Sequence, residues 1–393
     1  MPLPDPRCGR PLGDPVRYQL VKAIVASGML AGMLLSPKLW LTDRHFPLAP
    51  VWDGLPAVPP PWDAGVFGGM LVLLGLAALP LRRCWPLPAF VALAAAWSLW
   101  DQSRWQPWFY QYLVMLAALG FAAGRCPERR AAGLHVCRLV VAATYIWSGL
   151  QKVNVTFATE VYPWFVEPAL RLAPPGWAAW AAGQGWAAAG VECALGIGLL
   201  AWPLRAAAVP LVVGMHALVL FCLGPWGHDW NTVVWPWNLA MMALDVALFA
   251  RTRGVAPWHI AWPQRFPFAR LALVLFGVLP ALSFCGRWDS YLSAALYSGN
   301  TPRARVRVGD PAAAALPPDV REGCLDGDEL SLAKWSVAEL NVPPSPARRV
   351  YGAVARQLAA LGDPPGGVTL DVEERPDWLT GRRAVTRENL GDP

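Results

Sequence analysis

Ala206-Ala-Ala-Val-Pro210-Leu-Val-Val-Gly-Met215-His216-Ala-Leu-Val-Leu-Phe-Cys-Leu-Gly224 contains no carboxylate, lysine or arginine, and its one strongly polar side chain is an imidazole. A bilayer core asks this of a helix: about 20 apolar residues, with about 17 a workable minimum. Comparable runs cover roughly 19–37, 65–81, 86–100, 107–124, 135–152, 186–203, 233–250 and 268–286. The reading is an all-α polytopic membrane protein of about nine transmembrane helices. The run at 86–100 is short and reads equally as a re-entrant or tilted segment. Arg7, Arg10 and Arg17 precede the first run, as in a signal peptide, but Ser36-Pro37-Lys38 follows it in place of an A-x-A-like cleavage site. A retained first helix is expected.

Composition agrees. The chain has 393 residues, of which 55% are hydrophobic and 15% charged, against about 25% charged in soluble domains. This excludes a soluble one-domain enzyme and a disordered chain. The charges are uneven: residues 1–300 hold 21 Lys+Arg and 13 Asp+Glu, residues 301–393 hold 12 and 14. Two parts follow, a membrane domain over 1–300 and a soluble tail over 301–393. The formal charge of +6 is too scattered for a nucleic-acid face. The 8 Cys form no CxxC pair, so a zinc ribbon or thioredoxin-like centre has no support. Gly227-His228-Asp229-Trp230-Asn231 offers two adjacent ligands without a third, and no metal is expected.

Basic residues at the ends of the runs set orientation. One side holds Arg7, Arg10, Arg17, Lys22, Arg82, Arg83, Arg125, Arg129, Arg130, Arg138, Arg205, Arg251, Arg253, Arg265 and Arg270. The other holds Lys38, Arg44, Arg104, Lys152, Arg171 and Arg287. The bias places the N-terminus in the cytoplasm and the tail outside. Many of the 23 Trp lie near run ends, where an amphipathic ring rests among headgroups. The lipid bilayer is thus the first partner.

The tail alternates Val306 and Val308 with Arg305 and Arg307, and spaces Val368, Leu370 and Val372 by two, as half-buried strands do. Ser345-Pro346 reads as a helix start, Val350, Val354 and Leu358 as one helical stripe through about Leu361, and Gly366-Gly367 as a break. A small α/β extramembrane domain is expected, with no recognisable catalytic motif.

Ionisable groups within apolar helices are costly and mark function by default. Away from the cytoplasmic ends these are Lys152, Glu192, His216 and Asp245, with Asn238 as an uncharged companion. At 1.5 Å per residue, Glu192 lies about 9 Å, His216 about 12 Å and Asn238 about 8 Å from the outer ends of their helices. With Lys152 at the outer end of its own, four polar groups from four helices meet in one outer layer. Asp245 lies deeper on the face of Asn238, where Arg251 or Arg253 reads as an ion-pair partner. Tyr145, Ser148 and Lys152 step by three and four, which places them on one helix face. Lys152 is one of four Lys among 33 basic residues. A desolvated lysine can lose its proton and arginine cannot, so Lys152 is the candidate general base. Snorkelling of Lys152 to the headgroups, and a Glu192–His216 pair that fixes packing, are the plain alternatives.

The stretch Tyr145-Ile-Trp-Ser-Gly-Leu-Gln-Lys152-Val-Asn, a long loop, Glu192 in the next helix and His216 in the one after resemble the HTTM domain. This is the membrane domain of vitamin K-dependent gamma-carboxylase and its bacterial relatives. Trp100-Asp-Gln-Ser-Arg-Trp105-Gln-Pro-Trp-Phe-Tyr110-Gln-Tyr-Leu looks like that family's outer loop and helix start, and the likeness covers about 17–250. The Arg- and Ala-heavy composition suggests a bacterial inner-membrane protein. By resemblance, Lys152 matches the lysine that deprotonates vitamin K hydroquinone. The resemblance also implies Glu192 and His216 as further catalytic residues, and Tyr145, Asn238 and Trp108 as residues holding a quinone or hydroquinone. Where the carboxylases carry Asn-Asn-His, this chain has Gln106-Pro107-Trp108, and its tail is far smaller than their lumenal domain. The implied function is therefore carboxylase-like or quinol-linked membrane chemistry, without glutamate carboxylation. A quinone- or lipid-binding module without chemistry and a structural membrane partner are the other two readings.

Overall fold

The computed structural model describes residues 15–390 apart from 81–84, 125, 253–254, 256, 258–259, 261–265 and 363–366. Arg7, Arg10, Arg82, Arg83, Arg125, Arg253, Arg265, Cys8, Cys84 and Gly366 lie outside the described residues. The chain is mostly helical, with a small antiparallel sheet near its C-terminus.

The main helices are α1 (Pro15–Leu35), α2 (Trp62–Ala78), α3 (Pro86–Trp97), α4 (Pro107–Phe121) and α5 (Pro127–Gln151). After two short helices, α6 (Tyr162–Leu170) and α7 (Pro175–Ala182), come α8 (Gly185–Leu200), α9 (Arg205–Leu223), α10 (Val234–Phe249) and α11 (Pro267–Cys285). All nine apolar runs are helical, but nine crossings are not supported. Among the described residues, α1, α5, α9 and α11 are long and apolar enough to cross a membrane. α2, α3, α8 and α10 are apolar and shorter, and α4 has 15 residues. Proline accounts for part of the shortfall: α2 and α8 end just before Pro80 and Pro203, while Pro86 and Pro107 open α3 and α4.

The helices share one core, and their ends are tied by polar side chains. α1 ends against the tail, where Asn341 Nδ2 donates to the Leu35 carbonyl at 2.9 Å. Its first turn lies at the opposite end, where Tyr18 Oη donates to the Leu119 carbonyl at 2.5 Å. At that far end, arginines counted for orientation are spent on carbonyls. Arg138 is buried and donates to Leu248, while Arg205 donates to Leu199, Leu200, Thr252 and Val255.

At the tail-facing end, the Trp100–Trp105 stretch forms two short 3₁₀ turns. Arg104 is fully buried, lies 4.5 Å from the Trp97 ring centroid and donates to the carbonyls of Leu39, Trp40 and Trp97. Beside it, Arg44 and Asp101 pair at 2.5 Å with both side chains out of water.

The tail's strands are β1 (Arg303–Val308), β2 (Leu325–Asp326), β3 (Glu329–Leu330), β4 (Val368–Glu373) and β5 (Val385–Leu390), in the order β2-β3-β1-β4-β5. Val306 faces Leu370 and Val308 faces Val368 in the central pair. The amphipathic α13 (Arg348–Leu361) buries Val350, Val354 and Leu358, as the stripe implies. Its N-cap is Ala347 rather than Ser345, and no side chain caps it. Together with α12 (Leu332–Leu340), it docks the tail on the helices. Glu339 accepts from the amides of His45 and Phe46, and Arg349 donates to Pro50 and Val51.

Two predictions follow from these ties. Asp101→Ala leaves the Arg44 guanidinium buried without its carboxylate, a loss of about 3–5 kcal/mol that thermal unfolding in detergent will read. In the tail, Arg387 first and Arg307 next hold the Asp371 carboxyl below its ordinary 3.8. That stabilisation is complete above the ordinary value and is lost as pH falls through the lowered one. Asp371→Asn will therefore destabilise the tail near neutral pH and flatten its acid unfolding, followed by circular dichroism.

Candidate functional site

The site begins with two glycines. A Cβ on Gly149 would lie 2.5 Å from the Cys193 amide nitrogen, and one on Gly196 would lie 2.8 Å from the Ala142 carbonyl. Only glycine lets the α5 and α8 backbones approach this closely. The approach brings Glu192 of α8 opposite the end of α5. Lys152 Nζ lies 2.5 Å from Glu192 Oε2 and donates to Ser148 Oγ at 3.0 Å. Both charged side chains are mostly buried, at 16% and 13% exposure.

One to two turns back along α5 is a second polar group. Tyr145 Oη lies 2.6 Å from His216 Nε2 and 2.7 Å from Asp245 Oδ2. His216 Nδ1 in turn lies 2.6 Å from Asn238 Oδ1, and Asn238 Nδ2 donates to the Val234 carbonyl at 2.7 Å. Tyr145, His216, Asn238 and Asp245 are all buried.

Both groups border one cavity of about 560 Å³, lined mainly by apolar side chains. Lys152, Glu192, Tyr145, His216 and Asn238 contribute its polar wall, and Asp245 sits behind Tyr145 without lining it. Phe157, Phe165, Leu296 and Tyr297 close the tail-facing end. Ala294 and Tyr297 hold positive φ in this cover, an uncommon backbone for residues with a Cβ. Between α8 and α9 the wall is open. The helices meet closely near Gly198 and Ala208, whereas at Gly214 nothing stands within 4 Å of a Cβ position. Val191, Leu211 and Leu218 line the cavity and are exposed on that side.

Of the six residues singled out in the sequence, five border this cavity. Trp108 does not: its ring packs against Gly32 of α1 and Phe109 in the core. It points away because it sits on the face of α4 that meets α1. Glu192 and His216 are not each other's partners, since Lys152 takes one and Tyr145 with Asn238 the other. Asp245 bonds Tyr145 rather than Arg251, which is exposed; Arg253 lies outside the described residues. The signal for this was its spacing of seven from Asn238, which keeps both on one face of α10. His228 is occupied by Trp164, stacked at 4.4 Å and bonded to its carbonyl.

No family model matches the chain, and no curated protein or solved structure matches it either.

The glycine contact is testable. Gly149→Val will force α5 and α8 apart, lowering thermal stability and separating Lys152 from Glu192. A crosslink between cysteines placed at 152 and 192 will then form more slowly than in the Gly149 background.

Proposed function

We propose that this chain is an integral membrane protein of the HTTM, gamma-carboxylase-like kind, and that its cavity takes a neutral, lipid-soluble molecule bearing an acidic O–H, such as a quinol. The observation that carries the reading is the Lys152–Glu192 pair, 2.5 Å apart in the wall of an apolar cavity open toward the side. A charge pair is costly to bury, and a packing role would be met as well by apolar side chains.

The chemistry is proton removal. Lys152 passes one proton from Nζ to Glu192 Oε2, which breaks an N–H bond and forms an O–H bond. The freed amine takes the proton of the substrate hydroxyl, and the substrate becomes an oxyanion. Water exclusion by the cover of Phe157, Phe165 and Tyr297 strengthens every charge interaction inside. Proton transfer by a placed base contributes about 10²–10⁴-fold. Quinone or hydroquinone, if resident, supplies the redox chemistry, while the protein positions it and moves the proton.

The excess of basic residues at the end away from the tail supports an N-terminus in the cytoplasm and a tail on the outer, periplasmic side of a bacterial inner membrane. A carrier that binds the same molecule without chemistry shares every feature except the need for a proton-losing amine. Lys152→Arg separates the two, because it keeps the charge and cannot act as base.

The test is extraction and mass spectrometry of lipid-soluble molecules that copurify with wild type and with Lys152→Arg. A quinone or related phenol on both proteins, with the absorbance of the quinolate anion appearing when quinol is added to wild type and lost in the variant, is the expected result. Equal quinolate formation by the two proteins removes Lys152 as base. An empty cavity in a detergent that preserves the fold removes the ligand.

A further inference from the structure

The second polar group, behind the Lys152–Glu192 pair, fits two proton arrangements, and its geometry fixes the proton on His216 Nδ1 in both. Asn238 commits its amide nitrogen to the Val234 carbonyl, so Oδ1 faces His216 and must accept from Nδ1–H. Nε2 of a neutral His216 is then an acceptor and takes the Tyr145 hydroxyl proton at 2.6 Å. A phenol has one proton, and with that proton in the bond to Nε2 the second short contact, 2.7 Å between Tyr145 Oη and Asp245 Oδ2, is filled by a protonated Asp245 donating to Oη. Asp245 is fully buried, and its Oδ1 has no hydrogen-bond partner. That suits a carboxylic acid and would leave a carboxylate exposed to bare apolar surroundings.

The same atoms carry a second arrangement with the same number of protons. Asp245 gives its proton to Tyr145 Oη, and Tyr145 gives its own to His216 Nε2. One O–H bond breaks at Asp245, one N–H bond forms at His216, and Tyr145 ends as it began. His216 is then an imidazolium at the cavity wall, and Asp245 is a carboxylate behind the phenol.

We propose that Asp245 is the proton store of a charge-on-demand wire, Asp245–Tyr145–His216, which places a positive charge beside the cavity when an anion forms in it. The proposal rests on the reading that the cavity holds a molecule that becomes an oxyanion. At rest the wire is neutral, so an apolar ligand meets no bare charge there. When the Lys152–Glu192 pair takes a proton from the ligand, the new anion draws the Asp245 proton toward His216, and attraction across a dry cavity holds it. No proton is exchanged with water. Asp245 touches neither cavity nor ligand and acts through Tyr145 and His216.

The chain has five His, which makes ¹⁵N-histidine NMR practical, with His216 assigned by difference from variants of the other four. The free protein will show His216 as the neutral Nδ1–H tautomer. Binding of a hydroxynaphthoquinone, an enolic acid that is an anion at neutral pH, will convert it to imidazolium. A methylnaphthoquinone without the hydroxyl will leave it neutral. In Asp245→Asn, which can still donate to Tyr145 but cannot yield a proton, His216 will stay neutral with the anion bound. That variant will hold the anionic quinone about tenfold more weakly than wild type, with the neutral quinone unaffected. An imidazolium or an Nε2–H tautomer in the free protein overturns the wire, as does a neutral His216 beside the bound anion in wild type. Failure of both quinones to bind, read from their absorbance after dialysis, overturns the cavity reading instead. The tautomer of the free protein does not depend on that result.

Discussion

A polar side chain held away from water is costly unless it finds a partner inside the protein, and arginines near both ends of the helices do so. At the end away from the tail, Arg138 and Arg205 are spent on the carbonyls of neighbouring helices. At the tail-facing end, Arg104 caps three carbonyls, and Arg44 pairs with Asp101. Between these belts, the Lys152–Glu192 pair and the Tyr145–His216–Asn238–Asp245 group are on the cavity wall or directly behind it. The belts fix where the helices stop, and what they leave in the middle is the candidate site.

The close contact of α5 and α8 decides what that site contains. With Gly149 and Gly196 at the contact, Glu192 reaches Lys152, and the face of α5 bearing Tyr145 and Ser148 turns toward α9 and α10. A larger residue at either glycine would widen the gap and leave two charges to find other partners. Glycine spacing, helix packing and charge pairing are therefore one constraint seen at three scales.

Much of this was legible in the sequence because period and polarity are local properties. Each of the nine apolar runs fell on a helix, alternation marked β1 and β4, and the 3.6-residue stripe marked α13. The rarity of Lys and the step from Tyr145 to Lys152 identified one face of α5 before any partner was known. Two things were not legible. Crossing number failed because composition does not state where a helix stops: α2 and α8 end just before Pro80 and Pro203, and α3 gives way to a 3₁₀ turn at Ser98. Pairing failed because depth along a helix does not state rotation about it. Glu192 and His216 share a layer and still face different partners, while Trp108, on a helix beside the cavity, turns into the core.

The two polar groups divide one problem between them. A cavity that admits a neutral lipid-soluble molecule must carry little bare charge, yet a cavity that removes a proton must hold the resulting anion. A fixed cation near the ligand would serve the second need and oppose the first. Lys152 with Glu192 is neutral as a pair, and Tyr145 with His216 and Asp245 is neutral as a set, so neither opposes entry. Each can still rearrange protons over hydrogen bonds of 2.5–2.7 Å. Separation matters here, because Tyr145 and Lys152 are seven residues apart, about 10 Å along the helix. On the proposed reading, the proton acceptor and the His216 end of the second group therefore address different parts of one bound molecule.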